Sequence, residues 1–379
     1  TNMKKVGIIT FHRAKNYGAM LQAYALQETL KNRYDTLIVD YRCPEIEAKY
    51  YAKKTLKKKG KDFLKIFFQT NYILGVNKKN KSFDYFLKNY LNTSQPYDNQ
   101  NISKANSEFD IFIAGSDQIW NMKWSGEDWN YFLEFADDGK KLSYGAGLGD
   151  SIEDSKKSRV LKNVNSFCTV LTREEEGKKL LKSIGVKSEI ATVCDPVFLL
   201  DKKQWESKLA LDCIEGIKRK YILLYFVAKQ RDSIEFARKI ARERQLELVY
   251  ININAEKNIP SDFTNIIGIG PIEFLSLIRN AEIIITTSFH AMAFSLIFNK
   301  DFYYELCKDG SNNNSRLVNL ANICGVGNRE IINQEQGEAS EIDWKKVNDR
   351  IEQYAEESSE ILLNKMQSMA GEHDDKKGN

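Results

Sequence analysis

Short apolar runs alternate along the chain with segments whose apolar residues recur at helical spacing. Residues 4–10 have the pattern of a buried strand, a polar turn follows, and residues 17–31 have the pattern of a helix. Residues 36–41 form the next strand-like run. This order predicts a parallel βαβ unit at the beginning of the sequence.

The same alternation continues in two runs that divide near residue 205. Residues 45–91 look helical and irregular and contain no clear strand. We therefore expect an α/β protein with two domains and a C-terminal extension: residues 1–205 with a helical insertion at about 45–91, residues 206–343, and a helix with a polar tail at 344–379. Further strands are predicted at 109–115, 141–144, 168–171, 189–193, 221–227, 247–252, 282–286 and 301–304, and further helices at 174–184, from about 201, and at 232–245, 271–280, 288–298 and 344–369.

The composition is that of a folded protein with two cores. The chain has 379 residues, of which 42% are hydrophobic and 28% are charged. The longest apolar stretch, residues 283–298, is interrupted by polar residues and is too short for a membrane span. The sequence enters its first strand without the basic-then-apolar pattern of a signal peptide. We expect a cytoplasmic protein.

Cysteine spacing and net charge argue against several kinds of site. The six cysteines contain no Cys-x-x-Cys pair, so their spacing indicates neither a metal site nor a disulfide framework. We expect reduced thiols, no metal ion and no cofactor. The net charge of +4 is too small to indicate a nucleic-acid partner.

Three stretches place polar side chains directly after a predicted strand. The first, residues 10–22, contains Asn16, Tyr17, Gly18 and Gln22. Free backbone N–H groups at the beginning of a helix form an anion site, and a glycine lets a ligand approach the backbone. The alternative is an ordinary strand-to-helix turn in which Asn16 caps the helix.

The second stretch, residues 114–121, contains Ser116, Asp117, Gln118 and Asn121. In open α/β sheets, ligands bind beyond the carboxyl ends of the strands. A cap with a turn explains Ser116 and Asp117 but leaves Gln118 and Asn121 unexplained. The cluster therefore favours a binding site.

The third stretch, residues 283–294, contains one of the three histidines of the chain. His290 lies in the predicted first turn of a helix, with Ser288 as the cap, whereas His373 lies in the charged tail. A single histidine is often structural, but histidine is also the most common acid–base group. The position of His290 after a buried strand favours the chemical role.

Two arginines and a basic run complete the set of candidates. Arg173 and Arg316 follow a strand and a polar loop, and guanidinium groups bind phosphate and carboxylate through two parallel hydrogen bonds. Surface salt bridges are the alternative for both. The run from Lys49 to Lys61 contains seven lysines and no acidic residue. It fits a solvated helix face or, alternatively, contact with anionic lipid or a lipid-linked sugar.

These stretches, in this order, resemble the polysaccharide pyruvyl transferase family. The resemblance extends from residue 6 to about residue 330. It is carried by Asn-Tyr-Gly-Ala-x-Leu-Gln-Ala-Tyr-Ala-Leu-Gln at 16–27, Gly-Ser-Asp-Gln-x-Trp-Asn at 115–121, Ser-Tyr-Gly-Ala at 143–146, Arg173-Glu174, Asp195-Pro196 and Ser288-Phe289-His290.

The resemblance implies two Rossmann-like domains that face a cleft, as in the type-B glycosyltransferases. It also implies transfer of the enolpyruvyl unit of phosphoenolpyruvate to two hydroxyls of a sugar, which leaves a pyruvate ketal and phosphate. A general acid must protonate the donor methylene carbon, and cationic groups must hold its phosphate and carboxylate. The acceptor is expected to be a sugar or a lipid-linked oligosaccharide that is a precursor of a capsule or exopolysaccharide. No metal is expected.

The resemblance and this chemistry together assign roles to individual residues. We expect His290 and Asp117 to be catalytic, the histidine as the acid or as a cation that contacts phosphate, and the aspartate as base. The donor and its phosphate are expected to contact Ser288, Arg173, Arg316 and Ser116, and the acceptor cleft is expected to contain Asn16, Tyr17, Gly18, Gln22, Gln118 and Asp195.

The chain differs from the established pyruvyl transferases at one position of this set. They are similar to one another in having Arg-Leu-His where this chain has Ser288-Phe289-His290. The arginine is a contact to the donor anion in that comparison, so the donor stays open here. The alternatives are a glycosyltransferase that uses a nucleotide-activated sugar, and a catalytically inactive protein that binds sugar or phosphate.

Overall fold

The chain folds into two compact units that share no sheet. The computed structural model describes residues 3–51, 63–212, 214, 216–308, 312–334 and 339–371, with the backbone alone at 63–73 and 312–313. Unit 1 comprises Thr1–Lys53, Leu87–Leu200 and Glu352–Asn379, and unit 2 comprises Lys54–Phe86 and Asp201–Ile351.

Each unit is built on one parallel sheet. In the described residues, the sheet of unit 1 has seven strands in the order β3-β2-β1-β4-β5-β6-β7, and that of unit 2 has five in the order β10-β9-β8-β11-β12. The strands are β1 (Lys5–Ile9), β2 (Asp35–Tyr41), β3 (Thr93–Tyr97), β4 (Ile111–Ala114), β5 (Lys141–Tyr144), β6 (Thr169–Thr172), β7 (Ile190–Thr192), β8 (Tyr221–Tyr225), β9 (Glu247–Ile251), β10 (Phe263–Ile266), β11 (Ile283–Thr286) and β12 (Asp301–Tyr304).

Helices connect successive strands, as parallel pairing requires. They are α1 (Tyr17–Leu30), α2 (Pro44–Tyr50), α3 (Phe63–Tyr90), α4 (Met122–Ser125), α5 (Asp154–Val164), α6 (Glu175–Ser183), α7 (Lys202–Lys208), α8 (Ser233–Arg244), α9 (Pro271–Asn280), α10 (Phe289–Ile297), α11 (Asn312–Cys324) and α12 (Trp344–Ala370).

The central strands are the ones that the apolar pattern predicts best. Every residue of β4, β8 and β11 is buried. Strands covered by helices on both faces read as continuous apolar runs, which is what the sequence shows at these positions. The predicted strands and helices are present, with ends that differ by up to two residues at most boundaries. The fold is therefore α/β with two Rossmann-like units, as predicted.

One edge strand of each sheet was not predicted: β3 in unit 1 and β10 in unit 2. β3 has the sequence Thr-Ser-Gln-Pro-Tyr and β10 has Phe-Thr-Asn-Ile, so neither reads as an apolar run. Each pairs on one side only, with β2 and with β9 respectively. An edge strand tolerates proline and polar residues because one row of its backbone groups has no sheet neighbour. The helices α5 and α11 were also missed, since polar residues dominate both.

The division of the chain differs from the predicted domains at both ends of the insertion and at the C-terminus. Residues 54–86, predicted to be an insertion of the first domain, group with unit 2. The reason is close packing of α3: a Cβ added to Gly270 would lie 2.6 Å from the Cβ of Ser82. Residues from Glu352 onward group with unit 1. There the hydroxyl of Ser358 in α12 accepts a hydrogen bond of 2.9 Å from the backbone N–H of Cys194.

Among the described residues, no helix is long and apolar enough to cross a membrane. The cysteines at 43, 168, 194, 307 and 324 are free thiols, whereas Cys213 lies outside the described residues. The basic run at 49–61 and His373 also fall mainly or wholly outside them.

Candidate functional site

The candidate side chains lie where the strand order of each sheet reverses. In unit 1 the chain leaves β1 for β2 on one side, and β4 pairs on the other side of β1. In unit 2, β9 and β11 flank β8 in the same way. Ligands of open α/β sheets bind beyond the carboxyl ends of the strands at such a switch point. Two of the three predicted stretches follow β1 and β4, and the third follows β11.

The loop between β1 and α1 ends at Asn16, which caps the helix. The exposed Asn16 is the N-cap of α1, and its side-chain oxygen accepts a hydrogen bond of 3.1 Å from the N–H of Ala19. Tyr17 and Gly18 are buried in the first turn. Capping uses the side-chain oxygen of Asn16. Because the residue is exposed, the N–H groups of its side-chain amide face solvent.

Gln22 connects this loop to the one that follows β4. Its amide donates to the hydroxyl of Thr10 at 2.9 Å and to the carbonyl of Ala19 at 2.8 Å, and its oxygen accepts from the N–H of Ser116 at 3.0 Å. The side chain is fully buried. The hydroxyl of Ser116, also buried, donates to the carbonyl of Gly145 at 3.2 Å. Gln22 and Ser116 therefore position backbone, in place of the ligand contacts that the sequence suggested.

The loop after β4 needs glycine for steric reasons. Gly115 has φ +130°, and a Cβ there would lie 2.0 Å from the carbonyl oxygen of Tyr144. The peptide bond between Gly115 and Ser116 is cis. Asp117, two residues later, has φ +74°, a left-handed conformation that few non-glycine residues adopt. Its carbonyl accepts from the N–H groups of Ile119 and Gly147, which holds the half-buried carboxylate at the end of the sheet.

Arg173 lies next to Asp117 and is held by two other carboxylates. It donates to Asp195 at 2.6 Å and to Glu174 at 3.1 Å, and both Arg173 and Asp195 are buried. Burial by itself lowers the pKa of Arg173, but the charges of Glu174, Asp195 and Asp117 outweigh it, so the pKa is raised. Arg173 is thus a fixed cation within an acidic cluster, whereas the sequence suggested a clamp for the donor anion.

Asp195 is also committed to protein contacts. Its second oxygen accepts a hydrogen bond of 3.0 Å from the N–H of Val197, which caps a short 3-10 helix at Pro196–Leu199. Gln118 and Asn121, by contrast, are half-buried and bond to each other, from the Asn121 amide to the Gln118 oxygen at 2.9 Å. This amide pair stands beside Asp117 on the same loop.

Sequence reasoning did not assign His12, which is the buried histidine of unit 1. Its Nδ1 lies 3.2 Å from the carbonyl oxygen of Thr10 and its Nε2 lies 3.1 Å from a carboxylate oxygen of Asp40. Each ring nitrogen thus faces an oxygen atom, which fixes the orientation of the imidazole. Burial by itself raises the pKa of Asp40. The hydrogen bond and charge of His12, together with the charges of Arg42 and Arg13, outweigh burial, so the pKa of Asp40 is lowered.

In unit 2 the third stretch forms a helix start beyond β11. Ser288 is the N-cap of α10, and its hydroxyl accepts a hydrogen bond of 3.3 Å from the N–H of Ala291. The hydroxyl of Thr286 donates to the carbonyl of Tyr225 and accepts from the N–H of Ser288 at 2.9 Å. Ser288 therefore has a structural role as cap, and it is nearly buried.

His290 lies in the first turn of α10, as predicted, and is half-buried. Its ring contacts that of Phe289 edge-on, with centroids 5.2 Å apart. The guanidinium carbon of Arg316 lies 6.0 Å from the centroid of the Phe289 ring. The structure thus places His290, Ser288 and Arg316 in one neighbourhood of unit 2, and Asp117 with Arg173 in one neighbourhood of unit 1.

A second helix start in unit 2 is occupied by the protein itself. Glu305, directly after β12, accepts hydrogen bonds of 3.0, 2.9 and 3.3 Å from the N–H groups of Arg231, Asp232 and Ser233, and another from the hydroxyl of Ser233. These groups form the beginning of α8, where Rossmann-like folds often bind phosphate. A buried carboxylate therefore fills that anion site.

The described residues contain no cluster of three or more histidine, cysteine or acidic side chains that could hold a metal ion.

Comparison with known proteins agrees with this arrangement. Residues 16–304 match the model of the family described as polysaccharide pyruvyl transferase. No curated protein matches the sequence. Among solved structures, a putative UDP-N-acetylglucosamine 2-epimerase from Listeria monocytogenes is similar, with a TM-score of 0.51, 12% identity and 98% of each chain covered.

Two further solved structures are similar at lower scores. The glycosyltransferase SnogD from Streptomyces nogalater has a TM-score of 0.41 and 11% identity, with 96% of this chain and 100% of that chain covered. The UDP-GlcNAc 2-epimerase from Methanocaldococcus jannaschii has a TM-score of 0.45 and 13% identity, with 96% and 99% covered. At these identities the likeness concerns the fold. The family match covers most of the chain and includes all three stretches at the switch points, and the protein is therefore a member of the polysaccharide pyruvyl transferase family, a family of enzymes.

Proposed function

We propose that the protein transfers a pyruvyl group from phosphoenolpyruvate to two hydroxyls of a sugar in a surface polysaccharide or its precursor. The observation that carries the proposal is the position of His290 in the first turn of α10, where the guanidinium carbon of Arg316 lies 6.0 Å from the ring centroid of the adjacent Phe289. An acid–base group at the start of a helix, in the neighbourhood of a cation, suits a donor that carries phosphate and must be protonated.

The donor-side chemistry belongs to His290 in this proposal. Its ring, as imidazolium, gives a proton to the methylene carbon of phosphoenolpyruvate, and the adjacent carbon becomes electrophilic. A sugar hydroxyl adds to that carbon, and a second hydroxyl then displaces phosphate. One hydroxyl proton is taken by Asp117 and returns through solvent to the imidazole, and the other leaves on the phosphate, so the sum is one ketal and one inorganic phosphate. Arg316 holds the donor anion.

The acceptor-side chemistry belongs to Asp117. The backbone of Asp117 is held by hydrogen bonds in a left-handed conformation. Such conformations of residues other than glycine cluster at functional sites. The carboxylate of Asp117 takes the proton from the attacking hydroxyl, while Gln118 and Asn16 hydrogen-bond the neighbouring hydroxyls. Arg173 acts as a positioning residue, since its charge lies within electrostatic range of Asp117.

The test is ligand-induced stabilisation followed by product analysis. A ligand at a hundred times its Kd stabilises a protein by about 2.7 kcal/mol, which raises the Tm by several degrees. We expect phosphoenolpyruvate to raise the Tm of the wild type, to raise the Tm of H290Q by a smaller amount, and to leave the Tm of R316A unchanged. Release of inorganic phosphate that depends on both phosphoenolpyruvate and an added glycan, and that H290A loses, completes the assignment.

Nucleotide sugars provide the contrasting arm of the same screen. Ser288 is a helix cap in this chain, whereas the established pyruvyl transferases resemble one another in having arginine at this position. Nucleotide sugars are therefore the alternative donors to compare with phosphoenolpyruvate. Stabilisation by a nucleotide sugar but not by phosphoenolpyruvate would replace the proposal with glycosyl transfer. Binding of phosphate or sugar without turnover by the wild type would indicate a binding protein.

A further inference from the structure

Next to Asp117, the surface of unit 1 carries aromatic side chains paired with cations. The last turn of α2 and its C-cap provide Lys49, Tyr50 and Tyr51, and the short helix α4 provides Trp124. The two helices are in direct contact, since a Cβ added to Gly126 at the end of α4 would lie 2.9 Å from the Cβ of Glu45. Neither helix is part of the proposed catalytic assignment.

Lys49 joins the two helices through its ammonium group. Its Nζ lies 4.8 Å from the ring centroid of Trp124 and 5.3 Å from that of Tyr50. These distances are within the range of cation–π attraction. The lysine therefore fixes the two rings as one surface, which extends from α4 to the end of α2.

Trp124 differs from the other tryptophans of unit 1 in its exposure. It is 51% exposed, whereas Trp120 is buried and stacks on Phe132. Trp129 is half-buried and also contacts Phe132. A large aromatic surface left half in water and oriented by a lysine is more typical of a contact surface than of a core.

The aromatic surface is continuous with the candidate catalytic loop. Burial and the charge of Asp117 together raise the pKa of Tyr50, which places its phenol within electrostatic range of that carboxylate. On the other side of α2, the ring of Tyr51 lies 4.1 Å from the guanidinium carbon of Arg13 and 4.4 Å from Nζ of Lys15. Both cations come from the β1–α1 loop that carries Asn16.

We propose that Trp124, Lys49 and Tyr50 form the binding platform for the sugar of the acceptor glycan. A pyranose ring has an apolar face of C–H groups and a rim of hydroxyls, so it needs an aromatic face beside hydrogen-bonding groups. Trp124 offers the face, and the phenol of Tyr50 and the ammonium of Lys49 offer hydrogen-bond donors beside it. That the bound sugar is the acceptor of group transfer rests on the proposed function; the binding of a carbohydrate does not.

The experiment measures glycan binding in the absence of any donor. Wild type and variants are applied to an array of defined neutral and acidic glycans, and Kd is then measured by titration calorimetry for the strongest binder. We expect W124A to weaken binding about tenfold or more, as loss of a stacking ring does, and W124F to retain most of it. K49A should weaken binding by a smaller factor.

The matched control is another cation on a tryptophan of the same unit. The guanidinium carbon of Arg159 lies 4.2 Å from the ring centroid of Trp129, and R159A should leave Kd unchanged. Equal Kd for W124A and wild type, equal effects of K49A and R159A, or no glycan bound by the wild type would each overturn the platform. Glycan binding without phosphoenolpyruvate-dependent phosphate release would instead overturn the proposed function and leave the platform in place.

Discussion

Gly115 shows how one residue type sets the geometry of the candidate site. Its φ of +130° is strained for any residue with a side chain, and a Cβ would lie 2.0 Å from a backbone oxygen that cannot rotate away. The loop that follows carries Ser116 and Asp117. The position of the proposed base therefore depends on the absence of a Cβ two residues earlier.

The substitution G115A is expected to destabilise unit 1 by about 3 kcal/mol or more, because steric overlap adds to the cost of an unfavourable φ. Equilibrium unfolding in urea measures the change. G139A is the matched control, since a Cβ at Gly139 has no heavy atom within 4 Å and its φ is not positive. It should change stability by less than about 1 kcal/mol. Similar values for the two variants would contradict the steric account.

Residue types alone could not separate ligand contacts from internal contacts. The sequence correctly brought Gln22, Ser116 and Arg173 to the carboxyl ends of strands, but the structure gives each a protein partner. The partner of Arg173 is 22 residues away in sequence, and that of Ser116 comes from α1. Such pairings depend on which strands become neighbours, which no local pattern contains. His290 lies two positions after the helix cap Ser288. Its role as the catalytic acid stays a prediction.

At the scale of elements, the two helix starts at the switch point of unit 2 behave differently. The beginning of α8 is neutralised by the carboxylate of Glu305, whereas α10 is capped by the hydroxyl of Ser288 and has no acidic residue in its first turn. A helix N-terminus favours negative charge. At α8 the fold supplies that charge itself.

The substitution E305A is expected to destabilise unit 2 by about 1–3 kcal/mol, since it leaves the N–H groups of Arg231, Asp232 and the buried Ser233 without their carboxylate acceptor. Added inorganic phosphate should raise the Tm of E305A more than that of the wild type, because phosphate can take the emptied position. E235A, which removes an exposed glutamate from the first turn of the same helix, is the control. An equal effect of phosphate on all three proteins would argue against a filled anion site.

At the scale of the whole molecule, the two ends of the chain contribute to one unit. Residues 352–370 of α12 group with the sheet of unit 1, although they follow unit 2 in sequence. Leu362 and Met366 of this helix are fully buried, and Lys365 pairs with Glu189 at 2.5 Å. Unit 1 therefore includes a segment that unit 2 separates in sequence from the rest of the unit.

The substitution L362A is expected to destabilise unit 1 by about 2–5 kcal/mol, as removal of a buried leucine does. Hydrogen exchange followed by mass spectrometry should show the loss of protection in peptides from unit 1, including β6 and β7, and little change in β8 and β11. E356A, an exposed residue of the same helix, should leave both patterns unchanged. Loss of protection confined to unit 2 would mean that the helix stabilises the other unit.

The sequence by itself determined the element types and the places where chemistry can occur. Continuous apolar runs specify strands buried on both faces, and polar residues directly after them specify loops at the carboxyl end of a sheet. These are local properties, so they can be read from a single sequence. The tertiary structure decided the edge strands, the grouping of 54–86 and of α12, and the internal partners of Gln22, Ser116 and Arg173. Those outcomes depend on contacts between segments far apart in the chain, whose energies come from packing and burial that no local periodicity encodes.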